Sequence, residues 1–139
     1  MHMKALLGLS LLLASSTSLA DEGAAEYRLH TMEAIGGHTV AFFDILQGKV
    51  PHTGHLGLHA GAIADLSAIA GTLFEVNAPG GSALPAIWEN PDDFAAKVAD
   101  FQAAAEGLRD TIANGGEIGP AAMALGGACK GCHDDFRDE

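Results

Sequence analysis

Two cysteines are all that this 139-residue chain contains. That is too few for a disulfide framework, and with no second pair it is too few for a cysteine-based zinc site. Basic side chains are also scarce. Seven Lys and Arg stand against eighteen Asp and Glu, for a formal charge of −11 at pH 7. No basic stretch interrupts that balance, which argues against nucleic acid and against anionic membrane surfaces as partners. There is no sustained period-two alternation and no Asn-Gly hairpin between β-branched runs, so strands have no signal. Aromatics make up only 6% of residues. What is present is a chain that is 48% hydrophobic, with eighteen glycines. It is too apolar to be disordered and long enough for one domain. A core of such small side chains leaves space, and something must fill it.

The first twenty residues read as an export signal rather than as part of the fold. Lys4 precedes an apolar run through Leu6, Leu9, Leu11 and Ala14. The small residues Ser18 and Ala20 then fit a cleavage site before Asp21. The apolar run is short for a bilayer span. The expectation is one domain over residues 21–139, exported to the periplasm and not inserted in a membrane after cleavage.

That domain has a strong helical period. Arg28, Met32, Ile35, Thr39, Phe42 and Leu46 recur at spacings of four and three, closing near Gly48 and Pro51. A second stripe, Ile63, Leu66, Ala70 and Leu73, predicts a helix over about 55–74. Residues 75–87, with Asn77, Gly80, Gly81 and Pro85, predict a loop. Asn90 then suits an N-cap, Pro91 the first helical position, and Asp92 and Asp93 the positive helix end. The third helix carries Phe94, Val98, Phe101, Ala105, Leu108 and Ile112, and stops at Asn114-Gly115-Gly116. The fourth, from about Pro120 to Arg137, carries Ala122, Leu125, Cys129, Cys132 and Phe136. Four helices with mostly short connections predict an all-α, antiparallel up-down four-helix bundle.

Both cysteines fall in Cys129-Lys130-Gly131-Cys132-His133. C-x-x-C-H is the attachment signature of c-type haem. The spacing has a physical reason. Cys129 and Cys132 lie one helical turn apart on one face and can form thioethers with the two vinyl groups of a single porphyrin. His133, on the adjoining edge, can ligate the iron. A thiol–disulfide pair is the rival reading, but that normally goes with a βαβ context, which is missing. Half a zinc site is another, but it lacks further ligands. The cysteines lie on the inward stripe, so the haem is expected in the bundle core. Gly126, Gly127 and Gly131 are expected to make room for it, since each costs about 1 kcal/mol in a bare helix.

Cys-Lys-Gly-Cys-His-Asp-Asp-Phe-Arg on the last of four helices, Tyr27-Arg28 on the first and Trp88 before the third together resemble the class II cytochromes c. These are cytochrome c′ and its low-spin, methionine-ligated relatives. The resemblance covers essentially the whole of residues 21–139. It implies that Arg28 lies near a haem propionate, that Met32 faces the distal side of the iron, and that Arg137 sits near the proximal imidazole. Leu29 departs from the family pattern, in which many members have a polar residue. Met32 is either the sixth iron ligand or a plug over an open site. The first implies electron transfer by Fe(II)/Fe(III) cycling with a redox partner protein. The second implies a five-coordinate protein that binds NO or CO. No distal His–Arg pair lies on the Met32 stripe, which argues against an enzyme such as a peroxidase.

Other residues invite rival readings. His52, His55 and His59, spaced by three and four, offer either a surface metal site or a solvated helix start. His30 and His38 are off the Met32 stripe, which argues against bis-His haem ligation. Asp134 and Asp135 read as solvated. Phe43 cannot share one core with Phe42 and is expected nearer the outside. With Val40 or Val50 it is a candidate contact for a second copy of the chain, because the resemblance implies pairing through the first two helices.

Overall fold

The computed structural model describes residues 17–78 and 80–139, with side chains from Asp21 onward. Residues 1–16 of the expected export segment lie outside the described residues. Four long helices form the predicted antiparallel bundle: α1 (Thr17–Leu46), α2 (Leu56–Ser67), α4 (Pro91–Ala113) and α5 (Ile118–Phe136), with a one-turn α3 (Ala86–Glu89) between α2 and α4. No helix among the described residues is long and apolar enough to cross a membrane.

Two helix ends follow directly from glycine. At the end of α1, Gly48 takes a φ of 72° and its N–H donates to Ile45 O, while the Lys49 N–H donates to Asp44 O. At the end of α4, Gly115 takes a φ of 68° and repeats the pattern, with Gly115 to Ile112 and Gly116 to Thr111. Both are paired closures of orphan carbonyls around a left-handed residue, which a side chain would strain. α4 starts at Pro91 as expected, with Asp92 and Asp93 in its first turn.

Three details differ from the sequence reading. The second helix is not continuous to residue 74. It stops at Ser67 and tightens into a 3₁₀ turn at Ala70–Phe74. Ser67 Oγ donates back to Ala64 O at 2.7 Å, and Thr72 Oγ1 to Ile69 O at 2.7 Å, so hydroxyls compete with the helical ladder there. Gln102 Nε2 donates to the freed Ser67 carbonyl at 3.0 Å. The predicted loop ends early, because α3 begins at Ala86 behind Pro85. Asn90 occupies the N-cap of α4, but its side chain makes no capping bond. Its Nδ2 donates to Ala86 O instead.

The core runs through Ile35, Phe42, Ile63, Phe101, Leu108 and Leu125, so the predicted stripes do face inward. α1 packs on α2, α2 on α4, and α4 on α5. α1 and α5 meet closely at few positions. One is Gly126, where an added Cβ would sit 3.9 Å from the Phe43 ring. Phe43 is half-buried, edge-on to Phe42 at 5.6 Å, while Val40 is 62% exposed. Leu108, with no exposed surface, has neighbours on all sides. Leu108→Ala is expected to lower stability by about 2–5 kcal/mol, read by denaturant unfolding.

Candidate functional site

Where α1 and α5 stand apart, a cavity of about 430 Å³ opens. Its volume falls in the range of small-molecule and cofactor sites. Ile35, Phe74, Val98, Phe101 and Phe136 give it an apolar wall. Cys129, Cys132 and His133 line it from α5, Arg28 and Met32 from α1, and Arg137 from the end of α5. One cavity therefore collects Arg28, Met32, Cys129, Cys132, His133 and Arg137, the six side chains expected around a haem.

Arg28 is the most constrained of these. It is only 4% exposed. Its Nη2 donates to Ala78 O at 3.0 Å and to Gly80 O at 3.4 Å, across about fifty residues of chain. The guanidinium lies 5.4 Å from the Phe74 ring centre and 5.5 Å from that of Trp88. Trp88 Nε1 donates to the backbone Phe74 O at 2.8 Å, which ties the indole to the Phe74 main chain. Burial lowers the Arg28 pKa from its ordinary value, yet a guanidinium stays charged. Nη1 has no partner among the described residues. A buried cation with an unpaired N–H on a cavity wall calls for an anionic group from a ligand.

The two cysteines are free and half-buried. Burial pushes both thiols above their ordinary pKa; for Cys132, Cys129 and Asp135 push the same way and Lys97 opposes. A disulfide-exchange cysteine needs the reverse, a lowered pKa, so the thiol–disulfide reading loses ground. His133 lies at the exposed mouth, its Nδ1 3.5 Å from Arg137 Nη1. Its pKa is lowered, first by partial burial and then by Arg137, with Asp134 opposing. The shift favours the neutral imidazole, the form that ligates a metal. Thiols, an imidazole, a thioether, an apolar wall and a buried guanidinium with one nitrogen to spare together fit a haem with its propionates.

Loop residues close the site in a way the sequence did not announce. Ala83 and Arg137 form an isolated antiparallel bridge. Leu84 N donates to Phe136 O at 3.1 Å and Asp138 N to Ser82 O at 2.8 Å. The Phe74–Trp88 frame around Arg28 and the place of Lys97 beside Cys132 were likewise missed. Contrary to expectation, Gly126, Gly127 and Gly131 do not line the cavity. Gly126 faces Phe43, an added Cβ on Gly131 would lie 3.6 Å from Lys97 Nζ, and Gly127 faces open space. The glycines that line the cavity are Gly36, Gly80 and Gly81. Asp134 and Asp135 are exposed, and each meets a lysine: Lys130 at 2.5 Å and Lys97 at 3.7 Å.

The three candidate histidines do not converge. His52 stacks on His55 at 5.1 Å, while His59 pairs with His38 of α1. No group of three or more potential metal ligands forms among the described residues.

A bundle whose last helix brings C-x-x-C-H to such a cavity defines the four-helix class of haem c proteins. Residues 23–137 match the family model described as cytochrome C′. The chain belongs to the cytochrome c′ family and carries one covalent haem c with its iron. It is 33% identical over 122 residues to cytochrome c′ of Pararhodospirillum photometricum, covering 84% of this chain and 98% of that protein. It is 32% identical to cytochrome c-556 of Agrobacterium tumefaciens (strain apple 185), covering 85% and 97%. The crystal structure of cytochrome c′ from Rubrivivax gelatinosus superposes with a TM-score of 0.78 at 31% identity, covering 85% and 97%. The nitric oxide complex of a cytochrome c′ variant from Alcaligenes xylosoxidans gives 0.78 at 25%, covering 86% and 97%.

The histidine pair generates a pH prediction. Burial, His38 and His55 hold His59 below its ordinary pKa of 6.5. The unfolded chain therefore binds more protons than the folded one in the window below that value, and stability falls as pH drops through it. The melting temperature is expected to fall from about pH 7 to about pH 5, and to fall less steeply in His59→Gln.

Proposed function

We propose that this chain is a periplasmic electron carrier. The observation that carries the reading is the convergence of Met32, Cys129, Cys132, His133 and the unpaired Arg28 Nη1 on one mostly apolar cavity. When bound, the haem supplies a one-electron Fe(II)/Fe(III) couple. Cys129 and Cys132 would hold it through two thioethers from a single helical face, and His133 would supply a nitrogen to its iron. If the imidazole binds through Nε2 its proton would sit on Nδ1, and Arg137, which can only donate, would act on it as a nearby charge. Arg28 Nη1 would take a propionate oxygen. Met32, which lines the same cavity, would offer the iron a thioether, and a His/Met pairing would raise the reduction potential. The apolar wall keeps water from the iron. The exposed mouth at His133 and Arg137 gives electrons a short way out. An acidic surface favours a basic redox partner, and residues 1–20 support export.

One observation favours a second reading, NO or CO binding by a five-coordinate iron with Met32 as a plug. A solved relative is a nitric oxide complex. Absorption spectra of the ferric and ferrous protein, with and without CO, separate the two. A low-spin ferrous form that ignores CO supports electron transfer, and a high-spin form that takes up CO supports gas binding.

Two variants test the residue assignments. Cys129→Ala/Cys132→Ala is expected to carry no covalent haem, so a haem stain on a denaturing gel should be blank. Met32→Ala is expected to keep its haem, turn low-spin iron high-spin, lower the potential and admit CO. If Met32 only plugs the site, the parent protein is already high-spin and the change speeds CO binding. A spectrum and a CO on-rate that are both unaltered would remove Met32 from the site.

A further inference from the structure

His38 on α1 and His59 on α2 face each other across the seam between those helices. Their Nδ1 atoms are 3.0 Å apart, and their ring centres 5.3 Å apart at an interplanar angle of 54°. Both are half-buried, and each belongs to a long helix in a closely packed pair. The two nitrogens are thus held in place before any ligand arrives, which removes part of the ordering cost of binding. Neither residue lines the haem cavity.

The separation suits a shared ion. Two metal–nitrogen bonds of about 2.0–2.1 Å that span this gap enclose an angle of about 95°. That is close to the right angle of a tetragonal ion and well short of the tetrahedral angle. Nitrogen donors in tetragonal geometry select Cu(II) or Ni(II), and the divalent stability order places Cu(II) first. As the structure stands, the rings share one hydrogen bond, with a proton on one Nδ1 and a lone pair on the other. Moving that proton to Nε2 of its own ring frees the second lone pair, with no net proton release.

We propose that His38 and His59 form a bidentate imidazole site for a tetragonal divalent transition-metal ion, bridging α1 and α2, with Cu(II) as its best-matched occupant. Since no third ligand joins the pair among the described residues, solvent completes the coordination. The site is independent of the haem and of the redox reading above.

Full-length, haem-loaded protein without an affinity tag is titrated with Cu(II) at neutral pH and examined by calorimetry and by electron paramagnetic resonance. One equivalent is expected to bind more tightly than to the His38→Ala/His59→Ala double variant, and its copper signal should show splitting from two nitrogens. Each single variant should weaken it by about tenfold or more, because the second contact is no longer intramolecular. His55→Ala should change it less than about threefold, as expected for a neighbour that is not a ligand. His38→Gln and His59→Gln keep a polar side chain at the seam, and unchanged haem absorbance and circular dichroism in them show that the bundle is intact. No binding by the wild type, equal binding by the double variant, or a single-nitrogen signal would each overturn the site. A tenfold loss in His55→Ala would overturn the two-ligand assignment.

Discussion

The structure depends on one pair of helices that does not close. α1 packs on α2, α2 on α4, and α4 on α5, but the circuit is left open between α5 and α1. An ordinary bundle would fill that side with large side chains, since an empty apolar space forfeits dispersion contacts on every face that lines it. Here small residues and a 6% aromatic content leave it unfilled. Two thiols, an imidazole, a thioether and a guanidinium are gathered on its walls. The haem is therefore a core component of this fold and not a passenger on its surface.

The walls are unequal in how they are held. The α5 side is a single regular helix, so Cys129 and Cys132 keep their relative positions from backbone geometry alone. The α1 side is held through Arg28, whose rings and carbonyl acceptors come from Phe74, Ala78, Gly80 and Trp88. The irregular stretch between α2 and α4 is thus part of the site's frame. Its tie to Phe136, Arg137 and Asp138 completes the enclosure from the other end.

Much of this was legible in the sequence, and the remainder has a physical pattern. The four long helices follow from the spacing of their apolar residues, and two of their ends from Gly48 and Gly115, because both signals are local. The C-x-x-C-H segment and the Arg28–Met32 stripe were readable for the same reason. What escaped was non-local. The break after Ser67 rests on hydroxyl back-bonding and on Gln102, which lies thirty-five residues away. The Arg28 frame joins residues about fifty positions apart. The glycines of α5 looked like haem contacts because their spacing was read without a partner helix; Gly126 in fact admits Phe43. His59 was grouped with its own helix neighbours, whereas its partner, His38, is on another helix.

Arg28 also has a thermodynamic consequence. One nitrogen of its guanidinium grips the carbonyls of the loop, while the other is left for an acceptor in the cavity. A single rigid, planar group thus reads two surroundings at once. Any occupant that satisfies the second nitrogen fixes the guanidinium's tilt and so tightens the loop. Conversely, a change that loosens the loop also loosens the guanidinium that faces the cavity. Substitutions at Ala78 or Gly80, remote in sequence from every haem-attaching residue, thereby reach the cavity through this one side chain.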